Sequence, residues 1–125
     1  MSWSATLFDD RGHIEGEWNF THNCNGMINT ILDSEYEQVS VAEEVFRFKT
    51  TERQPTWWKQ LDDLDGEQSW VFLDTIIAGL ESDPERFRKM NPENGWGDFD
   101  SLVKVLKAMR EAIPNSWPSR WRVSG

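Results

Sequence analysis

From Trp3 to Phe20, apolar and polar positions alternate. Trp3, Ala5 and Leu7 share one face, and beyond Asp9-Asp10-Arg11-Gly12 the residues Ile14, Gly16, Trp18 and Phe20 resume the period of two. Asp can bond its own backbone and Gly accepts positive φ, so the intervening four residues read as a turn and the whole as a β-hairpin. At Thr21 the period changes. Cys24, Met27, Ile28, Ile31 and Leu32 follow helical spacing, and Thr21 or Asn23 can cap the first turn.

Residues 33–56 fit a short helix and a strand equally through Val41, Val45, Phe46 and Phe48, and part of the segment is expected to be a strand. Pro55 breaks it, and Trp57-Trp58 opens a short apolar segment ending near Leu64. A second helix is predicted from Trp70, Leu73, Ile76, Ile77 and Leu80 on one stripe, capped by Asp65. Ser82-Asp83-Pro84-Glu85, a cap with Pro at the first helical position, predicts a third helix through Met90. After the loop Asn91 to Gly97, Asp98 caps a fourth helix with Leu102, Val103, Leu106, Met109 and Ile113 inward, and Pro114 stops it. Trp117, Trp121 and Val123 alternate in the tail, which suits a strand returning to the hairpin. The fold class expected is α+β: a small antiparallel sheet, made of the N-terminal hairpin plus a C-terminal strand, packed on one face against about four helices. Residues 1–125 form a single domain with a variable insert at about 33–56.

The chain is 38% hydrophobic, but eight Trp and seven Phe among its 125 residues supply large buried area. A length of this kind hides roughly two-thirds of the unfolded surface, enough for one core. Thirteen Lys and Arg against 22 Asp and Glu give a net charge of −9, which disfavours general nucleic-acid and membrane binding. No apolar run approaches the ~20 residues that span a bilayer, the first ten residues lack the pattern of a signal peptide, and one cysteine makes no internal disulfide. A cytoplasmic protein is expected.

The chain carries no Gly-rich phosphate loop, no Gly-x-Ser-x-Gly elbow, no paired Cys motif and no His-Glu-x-x-His. His13, His22 and Cys24 have no recognised metal-ligand spacing, so no metal or cofactor is expected. Asp9-Asp10 and Asp62-Asp63 diverge in regular structure and read as solvated turns and caps. The junction at Thr21, His22 and Asn23 has two readings. In one, the residues add polar contacts to an anion or nucleotide-like ligand at a helix start, with nearby aromatics stacking on a ring. In the other, Thr21 caps, His22 bonds a backbone carbonyl and Asn23 ties down the Asn91–Gly97 loop. Trp57 and Trp58, being adjacent, point opposite ways, and one of them is a candidate pocket wall or interface anchor.

Two motifs carry a resemblance. "NFTHNCNGM" and "GLESDPERFRKMNPENGWGDFDSLVKVLKAM" resemble a group of small uncharacterised proteins of bacteriophages and bacteria, which pair a Thr-His-Asn motif opening a helix with an Asn-Pro-x-Asn-Gly-Trp-Gly loop. The likeness rests on Thr21, His22, Asn23 and Met27, and on Pro84, Arg86, Phe87, Asn91, Pro92, Asn94, Gly95, Trp96 and Gly97. It implies a small phage-type cytosolic domain and no reaction, and it suggests that both motifs converge on one site, with His22 and Asn23 facing Asn91, Asn94 and Trp96. The expected function is that of a non-catalytic phage-type accessory protein binding a small polar or nucleotide-like ligand through Thr21, His22, Asn23, Asn91, Asn94 and Trp96, sequestering it from the host. The alternatives are an acidic inhibitor of a host protein, acting through its negative surface or exposed Trp residues, and a small hydrolase or transferase with His22 as base.

Overall fold

The first alternating segment becomes two antiparallel strands, β1 (Ser2–Asp9) and β2 (Ile14–Thr21). The Asp9 side chain closes the turn by accepting from the backbone N–H groups of Arg11 at 2.9 Å and His13 at 2.8 Å, and Gly12 takes a φ of +85°. Those donations, from His13 above all, hold the Asp9 carboxyl below the usual carboxylate range. The computed structural model describes residues 2–35, 57–114 and 118–125. The strand expected within 33–56 lies almost wholly outside these residues, as does Trp117. The returning strand, β3 (Ser119–Ser124), pairs with the other edge of β1, giving the order β2-β1-β3.

Trp3, Ala5 and Leu7 of the middle strand are fully buried, with Phe20, Trp18 and Gly16 opposite on β2 and with Val123 and Trp121 opposite Ala5 and Leu7 on β3. The small middle residue Ala5 leaves room for the Trp18 and Trp121 rings, whose centroids lie 5.5 Å apart. Ile14 departs from the expected face and is 56% exposed. A register shift between Leu7 and Phe8 pairs Ile14 with Phe8 and breaks the period of two there.

β2 leads through a single 3-10 turn (His22–Cys24) into α1 (Asn25–Glu35), and Cys24, Met27, Ile28, Ile31 and Leu32 are all buried. A short helix α2 (Trp57–Leu61) buries Trp57 and Leu61. α3 (Gly66–Ser82) starts with a capping box between Asp65 and Gln68. Leu73, Ile76, Ile77 and Leu80 of the predicted stripe are buried, joined by Ser69 and Phe72, while Trp70 is not part of it. Trp70 is 36% exposed beneath the Arg110 guanidinium, 5.9 Å away. Ser69 takes the buried position because its hydroxyl accepts from Trp121 Nε1 at 2.8 Å and donates to the Gly66 carbonyl at 3.0 Å. α4 (Pro84–Arg88) ends two residues before the predicted Met90, and α5 (Phe99–Ala112) starts at Asp98 with Leu102, Val103, Leu106 and Met109 inward.

The result is an α+β architecture with helices on one face of a three-stranded antiparallel sheet. α5 packs on β2, while α2 and α3 pack on β3. The segment before α3 shields the outer edge of β3: Asp63 N–H donates to the Trp121 carbonyl at 2.8 Å, Trp121 N–H to the Leu64 carbonyl at 3.0 Å, and Val123 N–H to the Asp62 carboxylate at 2.8 Å. Among the described residues no helix is long and apolar enough to cross a membrane.

Candidate functional site

Where β2 ends, Thr21 sits in extended backbone and its hydroxyl accepts from Asn23 N–H at 3.2 Å, as an N-cap does. The distant loop is built by the same chemistry. The Asn91 side-chain oxygen accepts from Phe99 N–H at 2.8 Å, Asn94 accepts from Trp96 N–H at 2.9 Å, and Asp98 accepts from Ser101 N–H at 2.7 Å. Gly95 and Gly97 take φ of +76° and +89°. The loop then lies against the junction: Asn23 Nδ2 donates to the Trp96 carbonyl at 3.4 Å, and a Cβ on Gly97 would fall 2.5 Å from Thr21 Cγ2.

Between them opens a cavity of about 630 Å³, lined by Ser2, Asn19, Phe20, Thr21, Asn23, Asn94 and Trp96. Four of the six residues predicted for the site, Thr21, Asn23, Asn94 and Trp96, therefore meet on one pocket. Trp96 is 70% exposed and offers most of its ring to solvent. No charged side chain lines the cavity among the described residues. Ser2 and Asn19 were missed by sequence reasoning. The register that sets Ser2 opposite Thr21 and Ser4 opposite Asn19 includes the shift between Leu7 and Phe8, so counting back from the turn alone sets Ser2 opposite Phe20 instead.

The other two expected residues are placed elsewhere. Asn91 spends its oxygen on the start of α5 and does not line the cavity. Among the described residues His22 bonds no backbone carbonyl and it does not line the cavity; its Nδ1 lies 2.7 Å from Asn25 Nδ2, and its ring is 6.1 Å from that of Trp58. Adjacent residues in a 3-10 turn diverge by about 120°, so Asn23 toward the pocket sends His22 away from it. The partners fix the network's direction. Trp57 Nε1 donates to Asn25 Oδ1 at 3.0 Å, which leaves the Asn25 amide to donate to His22 Nδ1 and puts the neutral ring's proton on Nε2. Trp57, fully buried with its ring edge-on to Trp3 at 4.9 Å, is a core residue and not a surface anchor. Trp58 is half-buried beneath the Lys59 ammonium and also lies outside the cavity.

Cys24 sits behind the pocket, 2% exposed. Burial pushes its thiol up to about 11 from an ordinary 9.0, with the Asp98 carboxylate adding to the shift. At pH 8 about one thiol in a thousand is then ionised, so the native protein should resist iodoacetamide while the urea-unfolded chain reacts at an ordinary rate. Rapid native labelling would contradict this placement. The sign for stability follows from a raised thiol pKa: this contribution is complete below the unfolded value and is lost as pH climbs from there through about 11. Among the described residues no group of three or more His, Cys, Asp or Glu is placed to hold a metal ion. No protein-family model, curated protein or solved structure matches this chain.

Proposed function

We propose that the protein is a non-catalytic, phage-type accessory protein that binds a small, neutral, ring-bearing polar molecule of the nucleoside class and withdraws it from the host. The observation that carries this reading is a cavity of about 630 Å³ bordered by a 70%-exposed Trp96 and by amide and hydroxyl side chains. That volume is in the range that small-molecule sites occupy, roughly 300–1,000 Å³. An indole face stacks on any base, contributing about 1–3 kcal/mol, and Asn side chains pair with the donor–acceptor edge of a nucleobase. The uncharged lining narrows the class. A phosphate would meet no cation among the described lining residues, and Asn23 N–H is already capped by Thr21, so nucleosides should bind at least as well as their phosphates. Without an ionisable side chain in that lining, the pocket supports recognition and not acid–base chemistry.

The test is calorimetric titration of the four common nucleosides and their monophosphates into wild type and Trp96→Ala. One nucleoside should bind saturably, and the variant should bind it about 5- to 150-fold more weakly, as loss of one stacked base requires. Because Trp96 is exposed, the ligand-free variant should melt within a degree or two of wild type. Undiminished binding by Trp96→Ala, or no binding by any of the eight compounds, would sink the reading.

A further inference from the structure

We infer that the outer edge of β2 receives an extended peptide of alternating apolar and basic residues as a fourth strand of the sheet. The direction of the main-chain groups there follows from the far edge. On β3, Trp121 donates its N–H to the Leu64 carbonyl and its own carbonyl accepts from Asp63 N–H, so both groups point away from β1. Leu7, opposite Trp121, therefore turns its pair toward β2. Because bonded and unbonded pairs alternate along an antiparallel ladder, Leu7, Ala5 and Trp3 bond Gly16, Trp18 and Phe20. Glu17 and Asn19 lie between these and aim their N–H and C=O groups outward. The two edges differ in cover. The segment before α3 shields β3, whereas among the described residues no backbone bond from outside the sheet reaches Glu17 or Asn19, and both are exposed.

What flanks this edge defines the strand that fits it. On the inner face, α5 packs against both β2 and α3. Arg110 reaches Asp74 of α3 from one flank of α5. At about 100° per residue, Val105 and Ala112 fall on the other flank, over the free edge. Both are half-buried, as is Trp18 on the inner face of β2, so an apolar strip runs beside the open main-chain groups. On the outer face Glu17 is exposed, with exposed Glu15 two positions back, and neither enters an ion pair among the described residues. A fourth strand thus sets apolar side chains on Val105, Ala112 and Trp18, and basic ones beside Glu17. In antiparallel pairing, the residues that exchange bonds with Glu17 and Asn19 share their face, so the basic residues are also the ones that donate. A second copy of β2 fits poorly, since it brings the same acidic residues to the edge on another molecule of net charge −9. The inference does not rest on the nucleoside reading, because from that cavity's lining it takes only the main chain of Asn19.

The experiment measures amide hydrogen exchange of the full chain by ¹⁵N NMR, alone and with acetyl-Lys-Val-Lys-Val-Lys-Val-amide. In the free protein the Glu17 and Asn19 amides should exchange much faster than those of Trp18 and Phe20, and the peptide should slow them saturably. The same peptide N-methylated at its Val residues should still bind, whereas N-methylation at its Lys residues removes the facing donors and should abolish binding. Glu17→Lys turns an exposed attraction into a repulsion and should weaken binding roughly 5- to 30-fold. Glu17→Gln, expected to lose several-fold, replaces it if the Glu17→Lys spectrum shows loss of fold. The inference is overturned if no protection saturates, if the Lys-methylated peptide or a counterpart with Glu in place of Lys binds as well, or if the Glu17 variant binds as wild type does. It is equally overturned if Glu17 and Asn19 are already protected in the free protein: protection that grows with concentration would assign the edge to a second copy, and protection that does not, to the chain itself.

Discussion

Replacing Gly97 by Ala is expected to lower the melting temperature by on the order of 10 °C and to take nucleoside binding with it. Two costs add. The residue holds a φ of +89°, where a side chain costs roughly 1–2 kcal/mol. The new Cβ would also lie 2.5 Å from Thr21 Cγ2 and 3.3 Å from both Cys24 Sγ and Phe20 Cε2, and such overpacking costs about 1–3 kcal/mol. Relief is hard to find. Thr21 is β-branched and its hydroxyl caps the 3-10 turn, so rotating Cγ2 away would break the bond to Asn23. The loop must therefore lift, and Trp96 and Asn94 leave the cavity with it. Gly95→Ala is the control: its φ is +76° but nothing lies within 4 Å of the added carbon, so it should cost only the backbone term. Equal melting temperatures for the two variants, measured by circular dichroism, would show that the loop is not wedged against the junction.

This wedge explains what the sequence could and could not reveal. Local chemistry was legible: Asp9 and Gly12 in the turn, Thr21, Asp65, Asp83 and Asp98 at helix starts, and the alternation of Trp121 and Val123 in β3. Each of these features is decided by residues within four positions of one another. Trp70 misled because an apolar stripe was sought, whereas Ser69 is buried through a bond to Trp121, 52 positions away, which leaves no local trace. Ile14 misled because the register shift at Leu7 and Phe8 has no marker in residue type. The Thr-His-Asn triplet was legible as a junction but not in its division, since a 3-10 turn points neighbouring side chains apart and only the tertiary partners decide which one meets the loop. The alternation that buries Trp121 also sets Arg120 and Arg122 together on the opposite face, but their shared partner Asp63 comes from the edge segment that pairs with β3.

Asn25→Leu is expected to cost about 2–4 kcal/mol while leaving the nucleoside affinity of the folded protein unchanged. The fully buried Trp57 indole N–H donates to the Asn25 side chain, which simultaneously donates to His22. Leucine fills similar volume but accepts nothing, so Trp57 keeps a buried donor without a partner, a penalty of roughly 1–3 kcal/mol, and the bond to His22 is lost in addition. The bond can be isolated with Trp57→Phe, which removes the donor and keeps an aromatic ring against Trp3. In that background Asn25→Leu should cost less, and the double-mutant cycle should yield a coupling of about 1–2 kcal/mol. Urea denaturation of the four proteins measures it. Zero coupling would mean that Asn25 acts only through packing, and loss of nucleoside binding in folded Asn25→Leu would return His22 to the ligand site. The expected result separates the two sides of one turn: His22, Asn25 and Trp57 hold α1 to α2, while Thr21 and Asn23, one residue either side of His22, face the cavity.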